Sequence, residues 1–189
     1  MKNAIIVHGR PSKEIYYSDL YPSSSNFAWI PWLQKQLMIN DIKADTPEMP
    51  NSYEPNYELW IKEFERFDVT LETILIGHSA GAGFLLRWLS SNKDVAVEKV
   101  VLVAPSIDPD KKSTTGFCDF EIDEGLTSRV KELVIFTSDN DSDGINRSVE
   151  TISNTLPKTR VIKISGYGHF IPDHMGTDKF PELVKEIIN

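Results

Sequence analysis

Residues 74 to 84 read Ile74-Leu75-Ile76-Gly77-His78-Ser79-Ala80-Gly81-Ala82-Gly83-Phe84. An apolar run of strand length leads into Gly-x-Ser-x-Gly, and a segment with helical spacing of apolar residues, Ala80 to Ser90, starts directly after it. This is the setting in which a serine sits on a sharp strand-to-helix turn with its hydroxyl exposed at the carboxyl end of a sheet. Glycine on both flanks lets neighbouring chain pass close to the turn. With glycine at about 7% of residues, the bare pattern arises by chance in roughly one chain in twenty of this length. The strand before it and the helix after it make coincidence rarer. The competing reading is a glycine-rich turn that only packs, or that cradles a phosphate at the helix N-terminus. Gly77, Gly81 and Gly83 do not spell G-x-G-x-x-G and no Gly-Lys-Ser/Thr follows, so a nucleotide-binding loop lacks its residues.

Outward from the motif, short apolar runs rich in Val, Ile and Leu recur at Ala4 to Val7, Ile42 to Ala44, Thr73 to Ile76, Lys99 to Ala104, Leu133 to Phe136 and Val161 to Ile164. Such runs mark strands buried on both faces. Between and after them lie amphipathic segments at Trp29 to Ile39, Tyr57 to Phe67, Ala80 to Ser90, Leu126 to Lys131, Asn146 to Leu156 and Phe180 to Ile188. Strand then helix, repeated, predicts an α/β fold: a three-layer α/β/α arrangement around a mostly parallel six-stranded sheet. No internal repeat or composition break divides the chain, so residues 1–189 read as a single domain. The Pro- and Ser-rich stretches at Pro22 to Ser25 and Pro47 to Pro55 read as surface loops.

The composition is that of an ordinary globular chain: 189 residues, 40% hydrophobic and 25% charged. A formal net charge of −8 and the lack of a basic cluster argue against nucleic acid as a partner. The first apolar run is too short for a secretory signal, and no stretch approaches the 18 or so apolar residues of a membrane span. A single cysteine, Cys118, has no partner for a disulfide and forms no zinc cluster. A soluble, cytoplasmic protein is expected.

A serine hydroxyl is a weak nucleophile until an imidazole accepts its proton, and the imidazole needs a carboxylate to fix its tautomer. Of the four histidines, His8 closes the first strand and His78 adjoins the serine with its side chain directed elsewhere. His169, in Gly166-Tyr167-Gly168-His169-Phe170 after the last strand, lies at the same sheet edge as Ser79 and is the expected base. His174 is the alternative. In an α/β-hydrolase the carboxylate falls between serine and histidine in chain order, after the penultimate strand. That loop, Thr137-Ser138-Asp139-Asn140-Asp141-Ser142-Asp143-Gly144, offers three aspartates.

The chain resembles the small YdeN-like serine hydrolases, a group that includes retinoblastoma-binding protein nine. The resemblance runs from Ile5-Ile6-Val7-His8-Gly9 through Gly77-His78-Ser79-Ala80-Gly81 to Ser138-x-x-Asp141 and Gly168-His169-Phe170. It implies that the acid is the last aspartate of Ser-x-x-Asp, here Asp141. The family usually follows this aspartate with an apolar residue and a proline, whereas Ser142-Asp143-Gly144-Ile145 follows here.

Two main-chain donors are expected to form an oxyanion hole: the N–H of Ala80 and one from the loop after the first strand. In His8-Gly9-Arg10-Pro11 the proline has no N–H, so Arg10 is the expected second donor, through its backbone. With the nucleophile after the third strand, the order 2-1-3-4-5-6 places both donors at the switch point beside strands one and three. Only residues 106 to 131 are free to form a lid, too few for a large one. Tyr16, Tyr17 and Tyr21 precede the first long helix and are candidates to line an acyl or alcohol pocket, whereas Trp29 and Trp32 within it read as core.

These residues predict an esterase acting on small to medium esters with an apolar part, through an acyl-enzyme and with no metal or organic cofactor. Two alternatives compete. Residues 139–150 also satisfy the calcium-loop pattern D-x-[DN]-x-[DN]-G-x5-E through Asp139, Asp141, Asp143, Gly144 and Glu150. Against that reading, a strand precedes the loop and no second loop pairs with it. The other is an interaction module on a hydrolase scaffold, which the family resemblance suggests. The pocket-protein motif Leu-x-Cys-x-Glu is absent around Gly116-Phe117-Cys118-Asp119-Phe120.

Overall fold

A computed structural model describes residues 2–112 and 114–188. Six strands form one parallel sheet in the order β2-β1-β3-β4-β5-β6: β1 Asn3–Val7, β2 Lys43–Asp45, β3 Thr73–His78, β4 Val97–Val103, β5 Val130–Ser138 and β6 Arg160–Ile164. The order is the expected one. Side chains alternate between the faces of each strand, so Ile5, Val7, Leu75, Val100 and Leu102 enter one apolar layer while Ala4, Ile6, Ile74, Ile76 and Val101 enter the other. The first layer is closed by α3 (Tyr57–Phe64), α4 (Ala80–Ser91) and the C-terminal part of α5 (Asp143–Thr155). The second is closed by α2 (Ile30–Ile39) and α7 (Pro181–Ile188). Covering both faces explains why the central strands read as continuous apolar runs. This is the minimal α/β-hydrolase fold, and no large lid interrupts residues 104–129 between β4 and β5 among the described residues.

Several local expectations are corrected. The helix expected at Leu126 to Lys131 is a 3-10 turn over Glu124–Ser128, and Lys131 already belongs to β5. Arg129 causes the switch: its guanidinium donates to the carbonyls of Leu89, Asn92 and Val95 and pairs with Asp123, pinning the segment to the end of α4. The loop from Pro47 to Pro55 is not a surface loop throughout, since Met49 and Ser52 are fully buried and Trp60 Nε1 donates to the Pro50 carbonyl. Two four-residue helices, α1 (Lys13–Tyr16) and α6 (Pro172–Met175), are too short to show a helical period. Ser12 caps α1 by accepting from the Ile15 N–H. Among the described residues no helix is long and apolar enough to cross a membrane.

Candidate active site

The turn from β3 into α4 forces Ser79 to φ 53°, ψ −117°, a positive-φ conformation that costs a non-glycine residue about 1 to 3 kcal/mol. The flanking glycines are required by contact. A Cβ on Gly77 would lie 2.5 Å from the Ala82 Cα, and one on Gly81 would lie 2.3 Å from the His8 carbonyl oxygen. The helix therefore starts hard against the end of β1, and Ser79 is presented at the carboxyl edge of the sheet.

Ser79 Oγ lies 2.8 Å from His169 Nε2, and His169 Nδ1 lies 2.9 Å from Asp141 Oδ2. With the ring proton on Nδ1, His169 donates to the carboxylate and leaves Nε2 free to take the serine proton. Asp141 is nearly buried, its side chain 3% exposed, and it accepts a second bond from the Ser142 N–H at 2.6 Å. The other two aspartates of the loop do different work. Asp139 accepts from the Ser165 hydroxyl and the Gly166 N–H, which hold its carboxyl below the usual carboxylate range. Asp143 opens the first turn of α5, where a negative charge suits the helix dipole. The carboxylates thus diverge, and among the described residues no group of three His, Cys, Asp or Glu side chains is placed to hold a metal ion.

The loop after β1 is set by His8. The Met49 N–H donates to His8 Nε2 at 2.9 Å, which leaves the ring proton on Nδ1, and that N–H donates to the Gly9 carbonyl at 2.7 Å. The peptide is trans, so the Arg10 N–H of the same unit points the opposite way from that carbonyl. The Arg10 guanidinium is turned aside, its Nε donating to the Tyr53 carbonyl at 2.9 Å. Ala80, first residue of α4, carries one of the N–H groups that a helix leaves without an internal acceptor. Arg10 and Ala80 line one cleft of about 1060 Å³, together with Tyr53, Ser106, Phe117 and Ile145; Ser79, Asp141 and His169 are not among its lining residues, and the cleft adjoins them through Ala80 and Ser142. Arg10→Ala keeps the main-chain N–H and should retain most activity, while Arg10→Pro removes it and should cost on the order of 100-fold in kcat. Equal losses in the two variants would move the role to the guanidinium.

Tyr16, Tyr17 and Tyr21 are not among the residues lining this cleft. Tyr16 and Tyr17 pack against Tyr53, with ring centroids 4.8 and 5.4 Å away, and of the three Tyr53 is the residue that lines the cleft. Tyr21 is half-exposed. Tyr53 escaped the sequence reading because it lies in a stretch read as surface loop. Cys118 also lines the cleft, but burial pushes its thiol up to about 11, so it is no rival nucleophile near neutrality.

His78 does not point away from the site. Its Nε2 lies 2.9 Å from the His169 carbonyl oxygen. Burial first, then the neighbouring His169 ring, lowers its pKa to about 3, so it stays neutral. The unfolded chain takes up a proton at position 78 below about pH 6.5, whereas the folded chain refuses it until about pH 3. Stability should therefore fall with acidity across that window, by up to about 1.4 kcal/mol per pH unit from this group. Buried His8, lowered mainly by desolvation, acts in the same direction. Denaturant midpoints measured from pH 7 to pH 4 should fall more steeply for the wild type than for His78→Gln.

The Serine hydrolase family matches residues 20–188 of the chain. The protein YdeN of Bacillus subtilis is 36% identical over 80 residues, which are 41% of this chain and 42% of that protein, so the alignment spans less than half of either. The crystal structure of the B. subtilis ydeN gene product superposes with a TM-score of 0.82 at 21% identity, covering 99% of this chain and 97% of that one. Est1E from Butyrivibrio proteoclasticus shares the fold with a TM-score of 0.62 and 14% identity, over 99% of this chain and 85% of its own. With a family match that takes in the serine turn, the acid loop and the histidine loop alike, the chain belongs to the serine hydrolase family.

Proposed function

We propose that this protein is a carboxylic ester hydrolase that works through a Ser79 acyl-enzyme. What carries the reading is one continuous hydrogen-bonded chain, Ser79 to His169 at 2.8 Å and His169 to Asp141 at 2.9 Å, ending on a serine in strained backbone. Ser79 Oγ attacks the ester carbonyl carbon while His169 Nε2 takes its proton. The negative charge that gathers on the carbonyl oxygen is met by the N–H groups of Ala80 and Arg10. Collapse breaks the bond to the alcohol oxygen, which leaves with the proton from His169. A water molecule then gives its proton to His169 and attacks the acyl carbon, and the acid departs as Ser79 recovers its proton. Asp141 keeps the ring in the right tautomer and stabilises it while it is charged.

Phe117 and Ile145 give the cleft apolar lining beside its charged residues, which suits small to medium esters with an apolar part. The test is labelling of the purified protein with a fluorophosphonate probe, with the adduct located by peptide mass spectrometry. An adduct on Ser79 that forms equally with and without a calcium chelator supports the reading. Failure to label refutes it. Labelling that needs calcium would instead favour a metal loop at residues 139–150.

A further inference from the structure

His169 stands in unusual backbone: the residues on either side of it, Gly168 and Phe170, both have positive φ, 50° and 54°. Such a stretch keeps its shape only where its surroundings hold it. The holding groups are side chains from four separate segments. Tyr167 N–H donates to Ser138 Oγ at 3.0 Å and Gly168 N–H to Asn140 Oδ1 at 2.8 Å, so the acid loop grips the approach to the base. Trp29 Nε1 donates to the Phe170 carbonyl at 3.0 Å, gripping the exit.

The peptide groups of His169 itself are held by the two histidines that take no part in the proton relay. A carbonyl oxygen only accepts, so the 2.9 Å contact fixes the proton of His78 on Nε2. On the other side the His169 N–H donates to His174 Nδ1 at 2.9 Å, which requires a free lone pair there. The fit between His174 and the loop is close: a Cβ on Gly168 would lie 2.5 Å from His174 Nδ1, so the ring occupies the space that glycine leaves. α6, begun by Pro172 and ended by left-handed Gly176, turns the chain back far enough to bring the ring there.

We propose that His78 and His174 are positioning residues for the base, one donating to its carbonyl and the other accepting from its N–H, and that together they set the reach of His169 Nε2 to Ser79. The proposal rests on His169 acting as the base of Ser79. Since His78 adjoins Ser79 in the chain, nucleophile and base are held to each other twice: through the Oγ to Nε2 contact and through the peptide frame. Neither His78 nor His174 touches the reacting atoms.

The test compares variants that remove a hydrogen bond with variants that keep it. His78→Leu and His174→Leu lose the donor and the acceptor; His78→Gln keeps an N–H near the Nε2 position, and His174→Asn keeps an oxygen near the Nδ1 position. Turnover of p-nitrophenyl butyrate and the fluorophosphonate labelling rate are measured for all four beside the wild type, with thermal denaturation as the folding control. Each leucine variant should lose on the order of 10- to 100-fold in kcat, as expected for a misplaced catalytic group, with KM within about twofold of wild type. The Gln and Asn variants should recover most of that loss. Leucine variants that turn over like wild type, or Gln and Asn variants as slow as folded leucine variants, would overturn the proposal. If His78→Leu does not fold, the His174 pair, on an exposed helix, decides the matter. A wild type that fails to label overturns the esterase reading and this proposal together, whereas a labelled wild type with indifferent variants removes this proposal alone.

Discussion

Replacing Ser79 with alanine should lower kcat for p-nitrophenyl esters by about 10⁶, the scale of loss when the nucleophile of such a relay is removed. The remaining rate should still exceed the uncatalysed one, because the N–H groups of Ala80 and Arg10 and the cleft walls are untouched and such features alone supply about 10³ to 10⁴ over water. Alanine must adopt the same φ of 53° as the serine it replaces, so the melting temperature should move little. The measurement is steady-state hydrolysis combined with active-site titration, so that traces of wild type are counted. A variant that keeps a tenth of the activity would place the nucleophile elsewhere.

Asp141→Asn should lower kcat by roughly 10⁴ at neutral pH. An asparagine facing Nδ1 with its oxygen still accepts, but it brings no charge to stabilise the imidazolium, and facing with its amide it imposes the wrong tautomer. The neighbours give the contrast. Asp143→Asn should stay near wild type, since Asp143 serves the first turn of α5. Asp139→Asn keeps one oxygen for the Gly166 N–H or the Ser165 hydroxyl and loses the charge that favours both, so a loss of a few-fold is expected. Rates measured side by side for the three variants separate the relay from a metal loop, because equal losses at all three positions would mean shared ligation.

What the sequence disclosed was whatever is local. The strand-turn-helix around Ser79 is visible because the apolar run, the two glycines and the helical spacing lie within the seventeen consecutive residues from Ile74 to Ser90. The central strands β1, β3, β4 and β5 are visible because helices on both faces require apolar residues at almost every position, whereas the edge strands β2 and β6 are short and largely exposed, with Val161 of β6 42% exposed. β5 begins earlier than its apolar run because Lys131 and Glu132, near its start, project into solvent and break the pattern. His78 was legible as a histidine and illegible as a partner of His169, 91 residues away, since only the fold joins them. The same holds for Tyr53, whose contacts with Tyr16 and Tyr17 cross 36 or more residues. Asp141 is an intermediate case: three aspartates in five residues gave the loop, and the choice among them came from family resemblance and from the distance to His169.

The torsion at Ser79 ties reactivity to durability. Glycine adopts φ 53° without steric penalty, so a glycine there would release the strain, offset in part by the greater freedom of the unfolded chain. The chain thus forgoes on the order of 1 kcal/mol of folding free energy to hold a hydroxyl at that corner. A screen for heat-resistant variants should find gains at this position that remove the hydroxyl, and under the proposed mechanism activity would have to be selected alongside stability to keep the serine in place.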